Sequence, residues 1–424
     1  MQPGDVLSLD AGIYRDGLRL HDVHGAPGRP ITIAGPPEGS RAVFWARDGH
    51  HTVSLCDSSF IVLRNLELDG RHRNVDAVKA EGEGDRVCVA VHDITLENLY
   101  IHDHDHAQHS VGINTKCNAW NWVVRLTVVE RVGTGMYFGG SRGDTPFVSG
   151  LIEHNLVLDS LGYNIQIKHQ GRRPDVPGIP DGACATTIRH NVLSKARNAA
   201  GGRDARPNLL VGHWPLTGAG ANDVYQVYGN FFYENPSGEP LFQGEGHVAL
   251  YHNLFVNHQG DAIWIQPHND RPRMVRVFRN TIVAAGIGVR VKGGERRFAQ
   301  TVIGNAVFAG EVPVAGGHQA GNVTDTYQRA GEHLRNPFDG PGRLDLSPRA
   351  GRLVGPPLEL SDVRRFEDWH RDFEGRVHDG RRRGAYAHHD PAWRPALTLK
   401  RPIPASPTRS ASRLADRPTS LPDE

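Results

Sequence analysis

The chain contains 424 residues, including 49 Gly, 28 Pro and only 3 Met, and 38% of its residues are hydrophobic. So many turn-forming residues exclude a bundle of long helices. With 48 Lys and Arg against 47 Asp and Glu, the net charge is +1, and the overall charge therefore indicates neither a nucleic acid nor a membrane as partner.

From residue 60 onwards one pattern recurs, in which a short apolar strand is followed by Asn, an apolar pair, a polar or Gly turn and another strand. The copies are FIVLRNLELDG (60–70), ITLENLYIHD (94–103), VVRLTVVERV (123–132), LIEHNLVLDS (151–160), TTIRHNVLSK (186–195), VYQVYGNFFYEN (224–235), ALYHNLFVNH (249–258), VRVFRNTIVAAG (275–286) and TVIGNAVFAG (301–310). The third copy has Leu126 at the Asn position, and the others have Asn65, Asn98, Asn155, Asn191, Asn230, Asn253, Asn280 and Asn305.

Repeats made only of strands can bury their apolar faces only by stacking on one another. The pattern therefore predicts a parallel β-helix with three strands per coil and about nine or more coils. A β-propeller would need regular blades of about 40–45 residues, and the LxxLxL spacing of leucine-rich repeats is missing. We expect the recurring Asn to adopt the left-handed conformation at a tight bend and to bond the equivalent amide one coil away.

Two segments carry a family resemblance. The opening GDVLSLDAGIYRDGLRLHDVHGAPGRPITIAG (4–35) resembles the entry coil of pectate-lyase-like right-handed parallel β-helix proteins, and DFEGRVHDGRRRGAYA (372–387) is similar to their closing segment. The resemblance implies an all-β, right-handed parallel β-helix and a secreted or periplasmic protein. No signal peptide is visible, because the residues after Met1 form neither a basic nor an apolar region.

The composition divides the chain into three parts. Residues 1–325 are predicted to form the β-helix, and residues 326–395 to form a C-terminal coil and cap, since a solenoid needs its open end covered. Residues 396–424 are rich in Pro, Ser and Arg and are predicted to be a disordered tail.

Two groups of residues raise the question of metal binding. Cys56, Cys88, Cys117 and Cys184 are far apart without a CxxC motif and are interpreted as buried free thiols. In HDHDHAQH (102–109) the residues His102, His104 and His106 alternate, so that a regular strand would place them on one face as candidate metal ligands. Asp103 and Asp105 could instead hold Ca²⁺. We expect that no cofactor is required.

Alternation within the third strand of each coil separates inward from outward residues. Predicted to face inward are Val111, Ile113, Met136, Phe138, Ile165, Ile167, Leu209, Val211, Ile263, Ile265, Val289 and Val291. Predicted to face outward are Asn114, Tyr137, Gln166, Lys168, Leu210, Trp264, Gln266, Arg290 and Lys292, with His169, His213, Glu245 and His268 at strand exits. This mixture of polar, ionisable and aromatic groups is typical of a carbohydrate-binding groove.

The segment from Lys168 to Arg206 contains eight basic and three acidic residues, a local excess of five positive charges. Such a field favours an anionic chain such as a uronic-acid polysaccharide, whereas nucleic acid is disfavoured by the shortage of interleaved aromatic residues. The sequence thus predicts an acidic polysaccharide or oligosaccharide as partner, with no nucleic acid and no membrane, and a monomer.

β-Elimination of a uronan needs a base for the C5 proton, a cation for the carboxylate and an acid for the departing oxygen. In similar β-helical alginate and chondroitin lyases a Lys and an Arg have these roles, which implies Lys168 as base and Arg206 as its partner. His169 or His213 could donate the proton. Predicted to bind substrate are Tyr137, Gln166, Arg172, Asn208, Gln243, Glu245, Trp264, Gln266 and His268.

The predicted function is therefore a polysaccharide lyase that acts on an acidic polysaccharide. A glycoside hydrolase would need two carboxylates about 5–9.5 Å apart at the groove. A C5-epimerase would share the proton abstraction but leave the chain intact. A non-catalytic glycan-binding β-helix is the remaining alternative.

Overall fold

The computed structural model describes residues 1–82, 84 and 86–400, and almost all of their regular structure is β-strand. Three strands per coil form three parallel sheets, here called A, B and C, which run the length of a parallel β-helix. Sheets A and B each extend through twelve successive coils. The predicted fold class is confirmed.

The strand bounds follow the chain through each coil. Sheet A contains Val6–Ser8, Ile31–Ala34, Ser58–Arg64, Ala90–Glu97, Val123–Arg125, Leu151–Glu153, Ala185–Arg189, Val224–Tyr228, Val248–Tyr251, Val275–Phe278, Gln300–Ile303 and His318–Ala320, with Asn118–Trp120 and Phe147–Val148 beside it. Sheet B contains Gly12–Tyr14, Ala42–Trp45, Leu66–Asp69, Tyr100–His104, Val128–Val132, Leu156–Leu158, Val192–Ser194, Phe231–Tyr233, Leu254–Asn257, Thr281–Ala284, Ala306–Ala309 and Val323–Thr326. Sheet C contains Leu18–His21, Val53–Cys56, Val78–Ala80, Val111–Thr115, Thr134–Phe138, Ile165–Ile167, Leu209–Val211, Phe242–Gly244, Ile263–Ile265, Val289–Val291 and Val314–Ala315.

The described helices are short. They are the α-helix Ala330–His333 and the 3₁₀-helices Gly202–Asp204, Tyr327–Arg329 and Ser361–Val363. The strands Leu334–Asn336 and Asp345–Pro348 form a separate antiparallel pair.

The interior of the β-helix is filled by the alternate residues that the sequence assigned to it. All of the predicted inward residues of sheet C are at most 8% exposed, and most are fully buried. All of these side chains except that of Val111 belong to one continuous apolar cluster with inward residues of sheets A and B. Burial of this interior by stacking explains why the fold needs many coils.

An asparagine ladder follows the bend between sheets A and B. The amide of each Asn donates to the side-chain oxygen of the next one at 2.9–3.0 Å, from Asn155 to Asn322. The five residues from Asn191 to Asn305 are fully buried, as is Asn155. Because each buried amide is satisfied by its neighbours, the ladder fixes the register of successive coils.

The left-handed residue of this bend differs from the prediction in most coils. Asn65 and Asn98 do have positive φ, at 59° and 51°. From Asn155 onwards the residue before the Asn takes that conformation, as His154 does with φ 54°. Leu126 also adopts positive φ, and the following Thr127 rather than Leu126 bonds the amide oxygen of Asn155. The strand register leaves two bend residues in each of these coils, at 98–99, 126–127 and 154–155. The bend therefore keeps its length, and the Asn moves from its first to its second position.

The C-terminal segment, residues 327–400, packs along the outer faces of sheets A and B. Phe366 and Val363 join the outward aromatic residues Tyr228, Tyr251 and Phe278 of sheet A. On sheet B, apolar residues of the segment, including Leu346, Phe373 and Tyr386, cover a second row of outward side chains. Lys400 is also buried, and its Nζ donates to the carbonyls of Gly229 and Phe373. Residues 401–424, most of the predicted disordered tail, lie outside the described residues.

Candidate functional site on sheet C

Sheet C carries the one long face that the C-terminal segment leaves uncovered, as far as the described residues extend. The two apolar clusters made by that segment contain outward residues of sheets A and B and none of those of sheet C. Its outward residues form two columns, here called the sheet C face.

The first column runs along the middle of the strands in unbroken register. Its members are Arg19, Ser54, Lys79, Asn114, Tyr137, Gln166, Leu210, Gln243, Trp264, Arg290 and Ala315. Neighbours in such a column are about 4.8 Å apart. Tyr137, Gln166, Gln243 and Trp264 therefore lie in one line, as predicted, although Gln166 and Gln243 are only 5% and 8% exposed.

The second column lies two residues further along each strand, where backbone hydrogen bonds continue the ladder. Its central members are Glu81, Lys116, Gly139, Lys168, Gly212, Glu245, Gln266 and Lys292. Lys168 thus has a glycine on each side. A Cβ on Gly212 would lie 2.2 Å from the backbone nitrogen of His169, so no other residue fits there. Neither glycine adds a side chain beside that of Lys168.

Lys168 is half-buried, and its ammonium forms no hydrogen bond or ion pair with any described residue. Burial lowers its pKa, an effect opposed by the charge of Glu245. A partly desolvated lysine without a carboxylate partner is unusual for a structural residue, since desolvation of the charge is not compensated.

Lys116 is a second half-buried lysine in this column, and the sequence interpretation missed it. Burial lowers its pKa to about 8, with the charges of Lys79 and Lys168 adding to the effect. Its Nζ lies 3.3 Å from the centre of the Tyr137 ring. The same alternation that marked Asn114 as outward reaches Lys116 two residues later, so the signal was present in VGINTK.

Tyr137 belongs to the first column, and its coil lies between the coils of Lys116 and Lys168. Its hydroxyl is 3.2 Å from Ser141 Oγ, and burial raises its pKa. On the other side of Lys116, Asp76 accepts hydrogen bonds from Lys79 Nζ and Asn114 Nδ2, both at 2.8 Å. Lys79 is consequently ion-paired, whereas Lys116 is not.

A group of three residues beside the column combines Arg206, Tyr163 and Glu239. The Arg206 guanidinium is 5.9 Å from the centre of the Tyr163 ring. Burial raises the pKa of Glu239, opposed by the charges of Arg206 and Lys195. Tyr163 is electrostatically coupled to Tyr137. Arg206 was predicted as a site residue, while Tyr163 and Glu239 were not, because both lie in connections outside the alternating strands.

His213 and Glu245 are buried beneath the sheet C face, and their side chains are not accessible from it. His213 is 3% exposed, and its two ring nitrogens lie 2.5 and 3.0 Å from the carbonyl oxygens of Trp214 and Arg271. Glu245 is 1% exposed and accepts backbone hydrogen bonds from His213 and from the three residues 268–270. Both side chains thus hold the connection after Ile263–Ile265 in place.

The other predicted residues differ in how far they are exposed. Asn208 is fully buried and its amide bonds the Glu234 carbonyl, which is a structural position. His169 is partly buried; its Nδ1 has no partner among the described residues, and its ring also bonds the backbone of Arg142. The predicted residues that retain exposure at the face are Arg172, Trp264, Gln266 and His268.

The predicted basic excess between residues 168 and 206 is not a free positive field. Three of its arginines are ion-paired: Arg173 with Asp223, Arg189 with Glu153, and Arg197 with Asp159. Lys195 is fully buried, and its Nζ donates to the Arg206 carbonyl at 2.6 Å. A count along the chain missed these neutralising partners because most of them lie 36 to 50 residues away.

The histidines at 102, 104 and 106 do not share a face. Asp103 has a φ of 58° and interrupts the alternation of the strand. His104 is fully buried with Nδ1 on the Val75 carbonyl, and His106 is exposed. Asp103 bonds Arg131 at 2.6 Å and Asp105 bonds His72 at 2.7 Å. Ligand atoms of His72, Asp103 and Asp105 lie within 4.8 Å of one another, so the Ca²⁺ ion considered from the sequence stays a prediction.

A cavity of about 310 Å³ opens at the N-terminal end of the sheet C face. It is lined by Arg19 and Ser54 of the first column and Glu81 of the second, together with the connections beside them. The face therefore begins in a concave pocket.

Comparison with solved structures confirms the predicted resemblance at the level of the fold. The GH136 lacto-N-biosidase from Eubacterium ramulus is similar with a TM-score of 0.52 and 13% identity. The alignment covers 77% of this chain and 63% of that one, so the chain spans less than two thirds of its length.

Two further structures match more loosely. An alginate lyase from Paenibacillus sp. str. FPU-7 has a TM-score of 0.46 at 15% identity, covering 77% of this chain and 92% of that chain. A mannuronan C-5 epimerase A-module from Azotobacter vinelandii has a TM-score of 0.43 at 14% identity, covering 76% and 89%. No family model and no curated protein sequence matches the chain. None of the helices in the described part of the chain has the length and hydrophobicity to cross a membrane.

Proposed function

We propose that this protein is a polysaccharide lyase that cleaves a uronic-acid-containing chain by β-elimination on the sheet C face. The observation that carries the proposal is the pair Lys116 and Lys168, two half-buried lysines of one column with Tyr137 beside them and lowered pKa values. A fold of this kind hosts many activities, so the argument rests on these side chains.

Lys116 is the proposed base. Its pKa of about 8 leaves a usable fraction of neutral amine near neutral pH, where a general base is most effective. This differs from the sequence interpretation, which gave the role to Lys168. The reason is electrostatic, since Lys168 is one of the charges that favour deprotonation of Lys116.

Lys168 is the proposed cation for the uronate carboxylate. The glycines on either side add no side chain next to it, and its ammonium forms no ion pair with a described residue. Arg206, whose guanidinium is 5.9 Å from the centre of the Tyr163 ring, is the proposed second cation. A cation at the carboxylate stabilises the negative charge that develops when the C5 proton leaves.

The proposed step is balanced within these groups. Lys116 takes the C5 proton, the C5–H electrons form the C4–C5 double bond, and the C4–O bond breaks. Tyr137 donates its proton to the departing oxygen and recovers one from solvent. Its raised pKa keeps the hydroxyl protonated in the resting protein.

A glycoside hydrolase is the second candidate, favoured by the fold likeness to a lacto-N-biosidase. It requires two carboxylates facing the bond to be cleaved. Glu245 is engaged by backbone donors and 1% exposed, which leaves Glu239 as the acid with a pKa raised by burial. The lysine pair therefore supports elimination more directly than hydrolysis. A C5-epimerase would use the same lysines and is distinguished by unchanged chain length.

The substrate class follows from the same groups. The first column offers amides, Tyr137 and Trp264, which suit sugar hydroxyls and ring faces. The second column offers cations for carboxylates. We infer an acidic polysaccharide or oligosaccharide as partner and a periplasmic or extracellular location where such chains occur.

The test is a screen of the purified protein on alginate, pectate, chondroitin sulfate, hyaluronan and heparin, followed by near-ultraviolet absorbance of unsaturated uronates. Lys116→Ala and Lys168→Ala should each lose at least 100-fold in kcat/KM. Lys292→Ala is the matched control, because Lys292 is an exposed lysine of the same column four positions beyond Lys168. Cleavage without absorbance, or equal activity of the three variants, would contradict the proposal.

A further inference from the structure

Three of the four cysteines, predicted to be isolated, meet at one bend of the β-helix. Cys56 ends a strand of sheet C, Cys88 lies in the connection of the next coil, and Cys117 follows the sheet C strand of the coil after that. Ligand atoms of Cys56, Asp57 and Cys88 all lie within 4.8 Å of one another. Cys117 acts electrostatically on Cys88 and raises the pKa of its thiol.

The cluster is shielded and polar at the same time. Cys56 is 0% and Cys117 is 1% exposed, while Cys88 is half-buried. One carboxylate oxygen of Asp57 accepts the backbone N–H of Val89 at 2.7 Å, and the other lies 3.5 Å from Cys56 Sγ. A carboxylate oxygen thus points at the thiols.

Arg86 supplies a positive charge beside the cluster. Its Nε is 3.2 Å from Cys56 Sγ, and its Nη2 bonds Asp57 and Asp22. Three thiolates and one carboxylate around a divalent cation carry a net charge of minus two, of which this guanidinium offsets one. An arginine in contact with a thiol marks the cluster as polar rather than a purely apolar stack.

We propose that Cys56, Asp57 and Cys88, completed by the neighbouring Cys117, bind one thiophilic divalent cation of the Zn²⁺ class, with the Asp57 carboxylate exchanging its Arg86 contact for the ion. Three sulfurs and one oxygen form the tetrahedral set that such ions take, and sulfur selects them over Ca²⁺ or Mg²⁺. With metal–sulfur bonds of about 2.3 Å the ligand atoms are about 3.8 Å apart, so shifts of about 1 Å complete the site. The three thiol protons pass to solvent on binding.

Without the ion the thiols remain protonated. Burial and the neighbouring Cys88 thiol raise the pKa of Cys56 to about 12, and the neighbouring Cys117 thiol together with burial raises the pKa of Cys88. Thiols in this state are poor nucleophiles, which is unlike a catalytic cysteine.

The site would tie three successive coils together. The connection that carries Cys88 also carries Glu81, which lines the cavity at the end of the sheet C face. Metal binding would therefore anchor one wall of that cavity, independently of whether the face is a lyase site.

The test uses the full-length reduced protein and Co²⁺ as a spectroscopic probe. We expect one Co²⁺ per chain, with thiolate-to-cobalt absorption in the near ultraviolet and displacement by one equivalent of Zn²⁺. Cys88→Ser should lose this absorption and bind at least tenfold more weakly. Cys184→Ser is the matched control, because Cys184 is a half-buried thiol outside the cluster, and it should behave as the unchanged protein.

Absence of thiolate absorption, or absorption unaffected by Cys88→Ser, would overturn the proposal. If Cys88→Ser fails to fold, Cys117→Ala gives the same comparison, and added Zn²⁺ should raise the Tm of the unchanged protein but not of that variant. The mass of the protein as isolated is a further check. A mass lower by two hydrogens, mapped to a bond between two of the three cysteines, would show a disulfide in place of the metal site and would overturn the proposal.

Discussion

The two sides of this β-helix use the same outward positions for different purposes. On sheet A, Tyr228, Tyr251 and Phe278 stack with ring centres 4.7–4.8 Å apart and are covered by Phe366. On sheet C the corresponding positions hold Lys116, Lys168 and amide residues, and nothing in the described C-terminal segment covers them. One side therefore contributes apolar burial, and the other presents unpaired charge.

Electrostatics separates the two sides in the same way. Arg189 on the outer side of sheet A is ion-paired with Glu153 and with Glu367 of the covering segment. Lys168 has no such partner among the described residues. The comparison teaches that exposure and pairing, rather than residue type, distinguish the candidate functional side. This difference predicts that substitutions at the interface between the C-terminal segment and sheets A and B change stability, whereas substitutions on the sheet C face change activity.

Removal of a large buried side chain of the C-terminal segment should have the largest effect on stability. Phe373 is fully buried and packs on Tyr386 and Trp393. Phe373→Ala should lower the free energy of unfolding by about 3–5 kcal/mol in denaturant titrations. Lys168→Ala should change it by less than about 0.5 kcal/mol. Equal destabilisation by the two variants would remove the distinction between the sides.

The asparagine ladder should show the next largest effect. Asn230 is fully buried between Asn191 and Asn253, so Asn230→Ala leaves buried amide and carbonyl groups without partners. We expect a loss of about 2–3 kcal/mol in the free energy of unfolding. Asn65→Ala, at the half-buried start of the repeats, should cost less than about 1 kcal/mol. If the two costs are the same, the ladder does not fix the register.

The pH dependence of activity sharpens the assignment of the base. Lys116 must be neutral to accept a proton, and its pKa is lowered to about 8. The rate of elimination should therefore rise about tenfold per pH unit below pH 8 and level off above it. A rate that falls as the pH rises through 8 would mean that the charged form is required. Initial rates of absorbance increase at saturating substrate measure this directly.

Trp264 tests how far the groove extends along the sheet C face. Its indole is partly exposed, with the Arg290 guanidinium 4.8 Å from the ring centre and Nε1 bonded to Asp261. Trp264→Ala should raise KM about fivefold for long substrates and leave kcat unchanged, as expected for the loss of one sugar-stacking contact. The same change measured with a disaccharide or trisaccharide should be smaller. An unchanged KM for polymers would show that the groove ends before this coil.

Much of the fold could be predicted from the sequence because the repeats report it many times. The inward positions, such as Ile165 and Ile167, follow from strict alternation and were predicted correctly. The Asn ladder also followed from recurrence. The shift of the Asn from the first to the second position of the bend did not, because left-handed His154 has no sequence pattern that distinguishes it from an ordinary turn residue.

The candidate site was less accessible to sequence reasoning. Alternation placed Lys168 on the outer face but could not show that Glu245 bonds four backbone groups or that Asp223 neutralises Arg173. These contacts join segments that are far apart in the chain. The meeting of Cys56, Cys88 and Cys117 was hidden for the same reason, because it depends on the stacking of coils.

The central claim is that Lys116 and Lys168 divide one elimination reaction between them, and charge-retaining variants test it most directly. Product masses and initial rates would be measured for Lys116→Arg and Lys168→Arg on the uronan that the unchanged protein cleaves. We predict fragments whose masses sum to that of the substrate, less than 1% activity in Lys116→Arg, and partial activity, about one tenth, in Lys168→Arg, since an arginine cannot act as the base but can neutralise a carboxylate. Fragments that sum to the substrate plus one water, or full activity in Lys116→Arg, would contradict the account.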